Sequence, residues 1–305
     1  MRVLPDAAGL DVLASPTTTI VGSIANRECV RAALAGVDAV IHTATLHKPH
    51  IGSHRWADFV ETNVAGTLNL LEEAVNAGVS RFVFTSTTSA FGHALVPAPG
   101  EPAAWITEDV KPVPRNIYGV TKTAAEDLCE LAWREHGLPC LILRTSRFFP
   151  EADDRDAVRA AYPDLNIKVN ELLYRRADIE DVVSAHLCAL ERAPEVGFGR
   201  YVISATTPFS REEVSAIRDD LRSVVGRLYP GYDEVYAERG WQMFPSIERV
   251  YVNERARAEL GWEPRYDFRH AVERLGAGED PRSPLALGIG AKGYHAESTG
   301  VYTVR

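Results

Sequence analysis

The chain has 305 residues, 46% of them hydrophobic, 25% charged and 9% aromatic, which fits a soluble globular protein with one large domain or two smaller ones. Its 42 acidic and 33 basic side chains give a net charge of −9 with no lysine or arginine run, so no nucleic-acid partner is expected. The longest apolar stretches, such as 138–143, fall far short of the ~20 residues of a membrane span, and the first 25 residues lack a basic head followed by a hydrophobic run. No membrane partner and a cytoplasmic location are therefore expected. Cys29, Cys129, Cys140 and Cys188 have no metal-type or disulfide-scaffold spacing and read as reduced thiols.

In chain order, a β-branched run at 37–42 predicts a strand, 56–77 a long helix and 81–86 a second strand. A second long helix over 116–136 ends at Gly137 and Pro139, and a third strand follows over 139–144. Strands alternating with helices of this length predict an α/β, doubly wound, Rossmann-like fold built on a parallel sheet. After Arg144 the rhythm breaks in a polar, turn-prone stretch and resumes at 178–191 and 200–204. A nucleotide-binding domain is expected over 1–146, 174–206 and 245–252, with a smaller substrate lobe over 147–173, 207–244 and 253–305.

Tyr118-Gly-Val-Thr-Lys122 stands near the start of the second long helix, where an i, i+4 spacing puts phenol and ammonium on one face. A free tyrosine, pKa about 10, is a poor acid–base group at pH 7; a close cation favours the phenolate. Upstream, at the end of a predicted strand, Thr85-Ser-Thr-Thr-Ser-Ala-Phe-Gly92 offers five consecutive hydroxyls, where loops at the top of a doubly wound sheet hold ligands. One of them could hold a substrate oxygen against the tyrosine, as proton transfer requires; the bland alternative is a turn that bonds its own backbone.

At this point the sequence resembles the extended short-chain dehydrogenase/reductase family, which contains NAD-dependent epimerases and dehydratases of nucleotide sugars. Val40-Ile-His-Thr-Ala44 looks like the family's His-x-Ala turn, and Thr62-Asn-Val-Ala-Gly-Thr-Leu-Asn-Leu-Leu71 its Asn-bearing helix. The hydroxyl loop, the Tyr118/Lys122 pair, the return at 176–190 with Asp181, and Leu260-Gly-Trp-Glu-Pro-Arg-Tyr266 are similar to further family motifs. The resemblance implies Tyr118 as general acid/base, Lys122 as the group that tunes it and holds the nicotinamide ribose, and Thr87, four residues before Phe91, as the catalytic hydroxyl, with Ser86 as fallback. It further implies NAD rather than NADP, bound by Asp11, Ser23, Ile24, Thr43, Ala44, Thr45, Asn63, Thr85, Tyr118, Lys122 and Ser146. A small-molecule substrate would meet Thr87, Thr88 and Arg147, and no metal is implied. A homodimer is expected through the outward faces of the two long helices.

The sequence also departs from the family. Only Gly9 and Gly22 occur in the first 35 residues, where the family has a strand, a glycine-rich pyrophosphate turn and a helix. Either 1–4 is the first strand with a degenerate turn at 7–9, or, as we prefer, 9–12 ends the second strand. Asp11 is then the ribose-binding carboxylate, and a βα unit is missing or fused. Ser23 replaces a common adenine-contacting Asp. Arg147 replaces a common Asn near the substrate diphosphate; it could grip an anion or pair with Glu151, Asp153 or Asp154. His47, His50 and His54 read as loop histidines rather than metal ligands, because Pro49 and Gly52 break the helix that would align them. The expected activity is that of an epimerase/dehydratase, with a simple dehydrogenase/carbonyl reductase or a cofactor-poor binding protein as alternatives.

Overall fold

The computed structural model describes residues 3–153 and 155–289. The elements run β1 Leu10–Asp11, β2 Ile20–Val21, α1 Arg27–Ala33, β3 Ala39–His42, α2 Trp56–Phe59, α3 Gly66–Ala77, β4 Arg81–Thr87, β5 Ala104–Ile106, α4 Ile117–His136 and β6 Cys140–Thr145. They continue through α5 Asp156–Ala161, α6 Asp164–Glu171, α7 Ile179–Val196, β7 Phe198–Ile203, α8 Ala216–Asp219, α9 Leu221–Leu228, α10 Tyr232–Ala237, β8 Arg249–Tyr251, α11 Glu254–Leu260, α12 Phe268–Gly276 and α13 Pro284–Ile289. The main sheet has the order β3-β4-β6-β7 and the β3/β4 pair is parallel, as expected of a doubly wound α/β fold.

Two compact units divide the chain. The first holds the residues up to Gly92, Pro112–Arg144 and Ala189–Arg200; the second holds His93–Lys111, Thr145–Cys188 and the chain from Tyr201. These boundaries differ from the expected lobes: 93–111, 174–188, 201–206 and 245–252 all fall in the second unit. Parallel pairing of β5 with β8 ties 104–106 to 249–251, a link between segments too distant in sequence for periodicity to reveal.

In the first unit β1 pairs parallel with β2, Leu10 opposite Ile20 and Asp11 opposite Val21, and Thr19 and Ile20 donate their backbone N–H groups to Gly9 O. This is the preferred reading of 9–12; Val3 and Leu4 form no strand, and Met1 and Arg2 lie outside the described residues. The core packs Val30, Leu70, Leu71 and Ala74 against Phe82, Phe84 and Ile142 of the strands and Ala125, Cys129 and Ala132 of α4. The helix predicted over 56–77 is continuous in path, but Val60–Ala65 widen it to a π-helical turn. The second unit has its own core, in which Phe268, Leu221, Val225, Tyr236 and Val250 are buried. Among the described residues no helix is long and apolar enough to cross a membrane.

Candidate active site

Two elements of the first unit set the chemistry. Strand β4 ends at Thr87, whose Oγ1 accepts the Ser89 N–H at 3.0 Å and so turns the chain into the short 3₁₀ segment Thr88–Ala90. Helix α4 opens at Asn116, whose side chain accepts the Gly119 N–H at 3.0 Å, and this cap places Tyr118 in the first turn and Lys122 in the second. Gly119 faces the 88–90 turn closely enough that a Cβ would lie 3.0 Å from Ser89 O. Gly92, at φ +50°, would put a Cβ 2.1 Å from Val113 O. The two glycines let the hydroxyl loop lie against the start of the helix.

Tyr118, Lys122 and Thr87 are all buried, at 3%, 2% and 8% exposure. The Thr87 hydroxyl acts on the Tyr118 phenol and favours its charged form, while Ser86 Oγ donates to Glu126 Oε1 at 2.5 Å. Geometry therefore separates the two neighbouring hydroxyls: Thr87 meets the tyrosine and Ser86 is held by a carboxylate. The expected tuning of the phenol by lysine takes another form. Burial pushes the Tyr118 phenol above its usual range, against the opposing effect of the Thr87 hydroxyl, and burial also lowers Lys122 to about 7, against Glu126 and Cys129. The Lys122 ammonium lies over the Phe84 ring, 3.9 Å from its centroid. Without water, each group favours its neutral form, and it is burial and the Thr87 hydroxyl, not the lysine, that shift the phenol.

Asn63 sits in the π-helical turn and ties three segments together. Its Oδ1 accepts Thr45 Oγ1 at 3.0 Å and the Leu46 N–H at 2.7 Å, and its Nδ2 donates to Leu46 O and to Thr121 Oγ1 of α4, each at 3.0 Å. The loop after β3 is thereby fixed beside the helix of Tyr118, and π-helical turns often occur at functional sites. His47 of that loop meets the Tyr118 ring edge-on at a centroid distance of 4.9 Å, and its backbone N–H donates to His50 Nδ1 at 2.8 Å. Loss of water and the cations of His50, Lys122 and Lys48 hold the His47 imidazole at about 3. Among the described residues no group of three or more His, Cys, Asp or Glu could hold a metal ion.

The other expected residues are distributed as follows. Asp11 ends β1 and accepts the Leu13 N–H; Ser23 and buried Ile24 follow β2, Ser23 accepting the Ala25 N–H; Thr43 and Ala44 follow β3, and Thr85 lies in β4. Those that follow a strand thus lie at its C-terminal end, where open α/β sheets bind ligands. Ser146 and Arg147 belong to the second unit. Ser146 is buried and its N–H donates to Ile203 O at 2.8 Å. Arg147 Nη1 donates to Asp153 at 2.6 Å and to Glu171 at 3.1 Å, so of the ion-pair partners weighed from sequence Asp153 is found, Glu171 is added, and Asp154 lies outside the described residues.

Sequence reading missed Glu126. Fully buried one turn after Lys122, it receives Ser86, the Arg144 guanidinium at 2.7 Å and Arg200 Nε at 3.3 Å. The signal was available: Arg144 closes an otherwise apolar strand, and a buried cation requires an anion.

A model of the NAD dependent epimerase/dehydratase family matches residues 5–204. The low-salt glycan biosynthesis protein Agl12 of Haloferax volcanii is 28% identical over 83% of this chain and 78% of its own length. The 3-beta-hydroxysteroid dehydrogenase of Mycolicibacterium neoaurum is 26% identical over 84% and 78%, and the UDP-glucose 4-epimerase of Rhizobium meliloti 28% over 77% and 75%. The fold is shared with a short-chain dehydrogenase/reductase superfamily protein from Agrobacterium tumefaciens solved with bound NAD, at 22% identity and a TM-score of 0.58 over 88% of each chain. The chain belongs to the NAD dependent epimerase/dehydratase family.

Proposed function

We propose that this protein is an NAD-dependent oxidoreductase of the epimerase/dehydratase kind that transfers hydride at a carbinol or carbonyl carbon, with a sugar or sugar nucleotide as substrate. The observation that carries the reading is that buried Tyr118 stands within reach of the buried Thr87 hydroxyl, which favours its charged form, with Lys122 one turn away on the same helix. A substrate oxygen placed between the two hydroxyls could exchange a proton with Tyr118 while Thr87 fixes its position. The buried setting excludes water, which strengthens each of these contacts.

The residues present fit NAD at its two ribose ends. The Asp11 carboxylate, at the end of a β-strand, suits ribose hydroxyls and disfavours a 2′-phosphate. Lys122 offers a buried ammonium beside the loop that Asn63 fixes, which suits the nicotinamide ribose. When bound, NAD supplies the hydride acceptor. Calorimetric titration with NAD tests the assignment: binding tighter than about 1 mM is expected, and a weaker constant favours a non-catalytic binding protein. The relative named a dehydrogenase keeps a second reading in view. Free NADH accumulating in step with substrate consumed identifies a simple dehydrogenase; cofactor retained through turnover identifies an epimerase or dehydratase.

A further inference from the structure

Helix α4 carries a second buried ionisable side chain that the proposed chemistry leaves unused. Glu126 follows Lys122 by four residues, so the two buried groups stand one turn apart on one face of the helix. The carboxylate is fixed from three strands. Ser86 Oγ of β4 donates to its Oε1 at 2.5 Å, Arg144 Nη2 of β6 donates to Oε2 at 2.7 Å, and Arg200 Nε of β7 donates to Oε2 at 3.3 Å. Charge-assisted bonds of this kind hold a carboxylate in one orientation, so its charge acts on α4 from a set place.

The other groups around the Lys122 ammonium are neutral at pH 7. On β4 the Phe84 ring lies under Nζ; on β3 and in the loop after it, His42 and His47 are each held at about 3, burial being the main cause and the lysine a contributor. On α4 itself burial raises both the Tyr118 phenol and the Cys129 thiol. Burial lowers Lys122, and of the two groups that oppose it Glu126 comes before Cys129. The guanidiniums of Arg144 and Arg200 are the opposing charges, each bonded to that same carboxylate.

We propose that Glu126 is a positioning residue of this site: from one turn away its carboxylate keeps the desolvated Lys122 ammonium available to hold a ribose hydroxyl. That the ammonium serves a cofactor ribose rests on the function proposed above; the link between the two side chains does not. The chain has five lysines, so protein labelled with carbon-13 at lysine Cε gives a short NMR spectrum, and the signal lost in Lys122→Met is that of Lys122. Titration of the cofactor-free protein should give it a midpoint of about 7. In Glu126→Gln, which keeps the shape and removes the charge, proton affinity should fall about tenfold, a midpoint about one pH unit lower. A merely structural glutamate predicts the reverse, because loosened packing admits water and moves the midpoint up towards the ~10.4 of a free lysine. Arg200→Gln, at a side chain 22% exposed, unmasks the carboxylate and should raise the proton affinity of Lys122 about two- to threefold with an unchanged melting temperature. NAD titration gives a second readout: Glu126→Gln should bind about fivefold more weakly than wild type at pH 7 and within about twofold of it at pH 5.5, where the lysine is protonated again. A midpoint unchanged or raised in Glu126→Gln overturns the proposal; should that variant not fold, an unchanged midpoint in Arg200→Gln overturns it. A lowered midpoint with NAD affinity equal to wild type at both pH values upholds the link between the residues and overturns the ribose assignment alone.

Discussion

Replacing Lys122 by methionine should make the cofactor-free protein more stable while removing its activity. The lysine is buried, and burial lowers its ammonium to about 7. Against an unfolded value of about 10.4, that displacement corresponds to roughly 4 kcal/mol of charge-burial cost at pH 7, at about 1.4 kcal/mol per unit. Methionine keeps most of the buried volume and removes that cost, while the contact with the Phe84 ring, worth about 1 kcal/mol, is lost. A net gain of about 3 kcal/mol at pH 7 follows from these opposing terms. The sign fixes the pH dependence. A lysine whose folded value lies below its unfolded one contributes fully above about 10.4, and that contribution is lost as pH falls towards 7. The gap between variant and wild type should thus narrow to about 0.3 kcal/mol by about pH 9.5. Urea unfolding of both proteins at the two pH values, extrapolated linearly, measures it. A variant no more stable than wild type at pH 7, or a gap that does not change with pH, refutes the reasoning.

Tyr118→Phe should lower turnover of a reactive sugar nucleotide by about 10²-fold or more with NAD affinity unchanged; retained turnover removes the tyrosine from the chemistry. Glu126→Ala strands the Arg144 guanidinium in the core, and urea unfolding should show a loss of about 3–5 kcal/mol, whereas a loss under 1 kcal/mol would mean that the ion pair is replaceable. His42, 3% exposed and bonded to Thr67 Oγ1 at 2.9 Å, is held at about 3 by desolvation and Lys122. Its folded value lies below the unfolded ~6.5, so stability is lost as pH falls from about 6.5 towards 3, and His42→Gln should flatten the pH 7 to 5 decline by about 2 kcal/mol. Exposed Trp56, Val60 and Leu68 on one long helical stretch and Val120 and Leu131 on α4 support a homodimer. Sedimentation should then give twice the chain mass, with Trp56→Glu shifting it to monomer; a monomeric wild type at micromolar concentration ends that idea.

What could be read in the sequence is what local periodicity encodes. The strands at 37–42, 81–86 and 139–144 and the helix at 116–136 lie within a few residues of β3, β4, β6 and α4, because each is bounded by its own caps and turns. Tyr118 and Lys122 were visible for the same reason, being four apart on one helix. The choice of Thr87 over Ser86 had only family spacing behind it, since it depends on a carboxylate forty residues away in sequence. The π-helical turn was hidden because Val60–Ala65 have an ordinary helical composition, and the widening serves the Asn63 contacts with 45–46 and Thr121. Arg147 likewise met Glu171, 24 residues further on, a partner no spacing rule supplies.

The electrostatics of the site couple its proton content to occupancy. With Tyr118 raised and Lys122 lowered, the empty site resists charge on both groups, and only a partner that accepts hydrogen bonds from the ammonium restores its charged form. Ribose hydroxyls are such acceptors, so NAD binding should draw a proton onto Lys122. Because the lysine is half protonated near pH 7, uptake should be about half a proton there, close to one at pH 8 and near none at pH 6. Titrations in two buffers of different ionisation enthalpy measure this number without any turnover. Uptake that is zero at pH 8, or that grows as pH falls, would place the titrating group elsewhere.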